Sequence, residues 1–234
     1  MKRAIIPAIL FAVLLLGGYG CMQNDPVRNE PARNINDAAL SYMEQKYGEE
    51  FEYAAPWGNS MSGTHELIVS CASLPGQEIV VQIENYKRDD KVFRDNYLAV
   101  KYRQQTADFV NDCAVEVFGR ATIFYEAAND GLSSSLPADA SFDEFLADTR
   151  VPLGVMIEVK ASDLSSREQA EKVAKLIAER SAGFYLTLVA VDDDVYGALD
   201  RKSLNERIPS RQFVECASIT WLDGELRTEW LGKE

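Results

Sequence analysis

An apolar run of thirteen residues, Ala4 to Leu16, follows Met1-Lys2-Arg3 and ends in Gly17-Gly18-Tyr19-Gly20-Cys21. Only Pro7 interrupts it. As a helix the run would reach about 20 Å, short of the roughly 30 Å hydrocarbon core that a spanning helix must cross. Two cations, a short apolar stretch and small residues before a cut site make a secretory export signal, not a fold element. This feature sets residues 1–20 apart from the fold. About 200 residues remain, enough for one sizeable domain or two small ones.

Cys21 directly after the small residue Gly20 resembles the lipobox of bacterial lipoproteins, with Gly18 standing where that family usually carries Leu. The resemblance implies that the Cys21 thiol receives a diacylglycerol, that cleavage falls before it, and that palmitate-type acyl chains hold the product. The implied address is the extracytoplasmic face of the cell membrane, with the membrane itself as partner through the lipid anchor. Read without the resemblance, the same residues also fit an ordinary secretory signal that leaves Cys21 a plain thiol, or an uncleaved anchor.

Charge bears on how such a product would stand. The whole chain has a net charge of −13, and removal of Lys2 and Arg3 leaves 22 basic against 37 acidic residues, a net of −15. A surface of that sign is repelled by anionic lipid and by phosphate backbones, so no nucleic acid partner is expected. Residues 21–36, polar and proline-containing with no apolar period, read as a flexible tether.

Beyond the tether, helical spacing of Ala39, Leu40, Met43 and Tyr47 predicts a helix over Asp37–Tyr47, with Asn36 as its N-cap and Gly48 as its stop. Strand-like runs Glu66–Ala72 and Glu78–Glu84 flank Ser73-Leu74-Pro75-Gly76 and read as a hairpin. A helix follows over Asn96–Phe118, with Tyr102, Thr106, Phe109, Val110, Cys113 and Val117 as its apolar stripe. Strand Ala121–Glu126 is expected to return to the same sheet. The weakly patterned residues 128–141 suggest a boundary between an N-terminal unit, 37–127, and a C-terminal unit, 142–234.

In the second half the pattern gives a short helix Phe142–Ala147, a strand Leu153–Lys160, and a helix Ser166–Ala182 with a Ser166/Gln169 capping box. A strand Phe184–Val191 and a helix Tyr196–Leu204 follow. A hairpin of Phe213–Trp221 and Glu225–Leu231 turns at Asp223-Gly224. The expected class is α+β, with mixed or antiparallel sheets and packed helices, as one bilobal domain or two small sheet-and-helix units. The mature part is similar to uncharacterised lipoproteins of Gram-positive bacteria. That likeness rests on Tyr47-Gly48-Glu49-Glu50-Phe51 and on Asp95-Asn96-Tyr97 opening a helix that ends Glu116-Val117-Phe118-Gly119. It implies no activity.

Motifs that carry chemistry are sparse. His65 is the only histidine, which excludes two-histidine zinc sites, and it reads as a residue at a loop edge. Cys71, Cys113 and Cys216 lack the close spacing of a metal knuckle or redox pair; they fit buried free thiols, or a single bridge whose partners sequence cannot choose. Asp192-Asp193-Asp194 does not match a calcium loop, because Ser203 stands where the bidentate Glu belongs. It reads as a solvated turn capping the next helix. No nucleophile elbow or phosphate loop is present. No catalytic residue, metal site or cofactor is therefore expected. Trp57, within Ala55-Pro56-Trp57-Gly58-Asn59, is expected in a loop near His65. Together they form a possible ligand-binding surface, the plainer alternative being a Trp folded over a sheet edge.

The function expected is a membrane-anchored extracytoplasmic binding domain without enzymatic activity, its ligand a protein, peptide or envelope component. The alternative is a cell-envelope hydrolase that uses carboxylates or a cysteine.

Overall fold

The computed structural model describes residues 26–59, 64–126, 132, 136–148, 152–210 and 212–231, with side chains from Ile35 onward except those of 57–59 and 126. Cys21 and residues 1–20, read as an export signal, lie outside them. Compact units divide within the first helix, between Asp37 and Ala38, and both sheets fall in the single unit Ala38–Glu234. Among the described residues, helices pack with one sheet of four strands and one of five, an α+β arrangement.

Helix α1 runs Pro26–Tyr47. It begins eleven residues before the expected start at Asp37, inside the segment read as tether. An apolar period signals packing, not helix formation, so a polar helical stretch escapes a reading based on periodicity. Pro26 suits a first helical position, where its missing N–H costs nothing. The far end is as expected: Gly48 adopts φ 71° and its N–H closes on Glu44 O at 2.9 Å.

The first sheet is an antiparallel meander of β1 (Phe51–Asn59), β2 (His65–Cys71), β3 (Ile79–Glu84) and β4 (Val92–Asp95). Sequence foresaw only the central hairpin. Strand β1 was hidden because Pro56 and Gly58 read as turn formers; the strand accommodates them with two register shifts, one between Tyr53 and Ala55 and one between Pro56 and Gly58. Alternation puts Leu67, Val69, Ile79, Val81 and Ile83 on one fully buried face. Phe93 and Asp95 share that face through their pairing with Ile83 and Val81.

Helices α2 (Tyr97–Lys101) and α3 (Arg103–Phe118) replace the single helix expected there, separated at Tyr102. The buried stripe of α3 is Thr106, Phe109, Val110, Ala114 and Phe118, rotated from the expected one so that Cys113 and Val117 are only half-buried.

The second sheet has the order β5-β6-β7-β8-β9, with β5 (Thr122–Glu126), β6 (Leu153–Lys160), β7 (Phe184–Val191), β8 (Glu215–Leu222) and β9 (Glu225–Trp230). Strand β5 pairs with β6, not with the first sheet. The change of sheet thus falls before β5, not at residues 128–141, because Ile123 and Tyr125 find apolar partners in Ile157 and Val155. β6 and β7 are parallel, and α5 (Arg167–Ala178) makes the crossover that parallel neighbours require. Short α4 (Phe142–Leu146) precedes β6 with a reciprocal Ser141/Glu144 cap.

Both central strands are nearly continuous apolar runs, as expected for strands covered on both sides. On one side α5 packs against β8 and α3, with Ala170, Val173, Ala174 and Ile177 fully buried. It ends at Ala178, four residues before the end expected at Ala182. On the other side Met156, Val189, Val191 and Cys216 are closed over by Leu204 and Phe213, with Phe124, Tyr196, Leu199 and Ile208 around them. Helix α6 (Arg201–Arg207) starts later than expected, capped by the Asp200 carboxylate.

Candidate functional site

The densest polar constellation among the described residues is built on Asp95, at the end of β4. Tyr42 and Lys46 lie four residues apart on α1 and so share a face, and Tyr47 follows in the last turn. The Asp95 carboxyl is almost wholly buried. Its Oδ2 accepts from Tyr42 Oη at 2.7 Å and from Lys46 Nζ at 2.7 Å; its Oδ1 accepts from Tyr47 Oη at 2.6 Å and from Tyr97 N at 3.1 Å. An ionised carboxylate offers about four lone-pair positions. All four are used within the chain.

Aromatic rings enclose the pair. Lys46 Nζ sits 5.5 Å from the Tyr42 ring centroid and 5.0 Å from that of Tyr47. Tyr42 stacks on Phe93 at 5.0 Å and Tyr47 on Tyr97 at 4.0 Å. Beyond Tyr97 the chain of contacts continues: its Oη donates to Glu49 Oε1 at 2.6 Å, Ser73 Oγ donates to the same oxygen at 2.8 Å, and Cys71 Sγ lies 3.3 Å from Ser73 Oγ. Burial holds the Tyr42 and Tyr47 hydroxyls far above their ordinary range, and the Asp95 charge adds to it. Burial and the Glu49 hydrogen bond push Tyr97 up to about 12. Burial would raise the Glu49 carboxyl, but hydrogen bonds from Tyr97 and Ser73 outweigh it and hold it below the usual value. Raised in this way, the three phenols serve as hydrogen-bond donors to the carboxylates.

Glu158 is a second buried carboxylate, on β6. Both its oxygens lie 3.3 Å from Gly197 N, in the turn after Asp192-Asp193-Asp194. Burial raises its pKa, and the Gly197 N–H, a Thr122 hydrogen bond and the Arg207 charge offset that only in part. The three aspartates turn as expected but do not cap a helix. Asp192 O accepts from Val195 N and Tyr196 N, and Asp193 is tied to Ser162 Oγ at 2.6 Å. Among the described residues no three metal-ligating side chains gather.

Trp57 is placed not in a loop but in edge strand β1, within the register shift between Pro56 and Gly58. His65 opens β2 opposite Asn59, two positions along from Trp57, with its ring 5.7 Å from that of Tyr86. Burial lowers the His65 pKa against an opposing pull from Glu66. The three cysteines among the described residues are free thiols: Cys216 buried, Cys71 and Cys113 half-buried. Burial pushes Cys113 and Cys216 up to about 11, away from the thiolate that a nucleophile needs.

Sequence reading missed the Asp95 cluster, because its partners lie 48 to 53 residues apart along the chain. The available signal was the pair of stretches Tyr47-Gly48-Glu49-Glu50-Phe51 and Asp95-Asn96-Tyr97, which the fold brings together.

No family model and no curated protein matches the chain. Among solved structures it is similar to the crystal structure of a DUF5037 family protein from Ruminococcus gnavus ATCC 29149, at 11% identity and a TM-score of 0.37, over 82% of this chain and 94% of the other.

Proposed function

We propose that the chain is a lipoprotein, carried by lipid on Cys21 at the extracytoplasmic face of the cell membrane, whose folded part binds a protein, peptide or envelope component. The observation that carries the anchoring is the leader itself: Lys2-Arg3, the apolar run Ala4 to Leu16, and Gly20-Cys21. Two or more acyl chains hold a protein firmly where one is marginal. The net negative charge of the remainder is repelled by an anionic surface, so the lipid must supply the attachment.

Binding rather than turnover is supported by how the charged groups are spent. Asp95 gives all its acceptor positions to Tyr42, Lys46, Tyr47 and Tyr97, which leaves none for a substrate. The cluster instead fixes the end of α1 to β4 and α2. The Trp57 bulge and His65 supply the candidate contact surface. Fractionation of intact cells tests the reading. The protein should sediment with membranes and be cleaved by protease added outside, and Cys21→Ala should move it to the soluble exported fraction. A cytoplasmic, protease-protected protein would overturn it.

A further inference from the structure

The two sheets end in four border strands, β1, β4, β5 and β9. β1 carries two register shifts and Pro56, β4 has four residues, and α3 packs against β5. Short length, prolines, bulges, charged side chains and covering elements are the usual guards of a sheet edge. Among the described residues β9 has only the charged side chains Glu225, Arg227 and Glu229, and its register against β8 is unbroken from Glu225 to Trp230.

The hydrogen-bond phase of β9 follows from one contact. Leu231 N donates to Cys216 O at 2.8 Å while Trp230 stands opposite Ala217. Trp230 and Ala217 are therefore a non-hydrogen-bonded pair, and the phase alternates from there. Glu225, Arg227 and Glu229 direct their peptide groups to β8. Leu226, Thr228 and Trp230 direct theirs to the outer edge. Side chains alternate as well, with Glu225, Arg227 and Glu229 exposed on one face and Leu226, Thr228 and Trp230 half-buried on the other.

We infer that this edge is a self-association surface: β9 pairs antiparallel with β9 of a second copy about a twofold axis at Thr228, joining two five-stranded sheets. In that register Thr228 faces its own equivalent and Leu226 faces Trp230 on either side. All are hydrogen-bonded pairs that use the outward peptide groups. On the exposed face Arg227 meets Glu229 twice. Moving the axis to Arg227 sets Arg227 against itself and Glu225 against Glu229; moving it to Glu229 sets Glu229 against itself. Opposite charges across strands stabilise and like charges directly opposite destabilise. An axis at Leu226 keeps favourable charges but leaves Trp230 beyond the turn of the other copy. The alternating charges of β9 thus guard against other registers and favour this one.

Charge reversal tests it on the full chain in detergent solution, with mass read by sedimentation equilibrium. The wild type is expected to be a dimer in equilibrium with monomer. Arg227→Glu and Glu229→Arg should each weaken the dimer about tenfold or more, since each turns two attractive pairs into repulsive ones. The double variant Arg227→Glu/Glu229→Arg should recover it. These side chains are exposed, and an unchanged circular dichroism spectrum checks that each variant folds. A wild type that stays monomeric, single variants that dimerise as well as the wild type, or a double variant that fails to recover would overturn the inference.

Discussion

Lys46 Nζ lies 2.7 Å from Asp95 Oδ2, with the two side chains 13% and 1% exposed. A buried ion pair contributes little net stability but is costly to break from one side. Asp95→Ala should cost about 3–5 kcal/mol, since it removes the one carboxylate that Lys46, two phenols and the Tyr97 N–H share. Lys46→Met should cost less, because Asp95 keeps three neutral donors. Urea unfolding of both variants checks the order; equal losses would show that the carboxylate is not the hub.

Tyr47 has two roles that one substitution separates. Tyr47→Phe keeps the ring stacked on Tyr97 and removes the 2.6 Å bond to Asp95. A hydrogen bond to a charged group contributes about 1.5–3 kcal/mol, which is the expected loss in the same assay. Tyr47→Ala should lose more.

Glu158 predicts a pH dependence. Its folded-state pKa is raised by burial. The native state therefore holds the proton more tightly than the unfolded chain does. Its contribution is full below the unfolded carboxylate value and is lost as pH rises through the raised value. Glu158→Gln should remove this loss, so that stability falls less from mildly acidic to neutral pH than in the wild type. Urea midpoints at the two pH values measure it. An unchanged slope would place the titration elsewhere.

The β8–β9 turn has Asp223 at φ 53° and Gly224 at φ 79°, the two left-handed residues of a tight hairpin turn. Gly224→Ala should cost about 1–2 kcal/mol through backbone strain, because a Cβ there meets nothing within 4 Å. Thermal unfolding checks it.

Such turns explain what was legible. Asp223-Gly224 announced its hairpin, and the apolar runs of β6 and β7 matched their strands residue for residue, because local chemistry specified them. The Ser166/Gln169 cap was likewise local, Gln169 Oε1 accepting from Ser166 N at 3.2 Å. Strand β1 was not legible, since bulges absorb the residues that signal a turn. Nor was the sheet that β5 joins, since pairing with β6 is a long-range choice. The Asp95 site was invisible for the same reason: Tyr47 and Asp95 are 48 residues apart, and only the fold makes them neighbours.

Lipid attachment at Cys21 is read from the intact mass of the protein taken from its native membrane. The expected mass is that of the chain from Cys21 onward plus acyl chains, a species lost in Cys21→Ala. An unmodified mass in the soluble fraction, unchanged by the substitution, would contradict it.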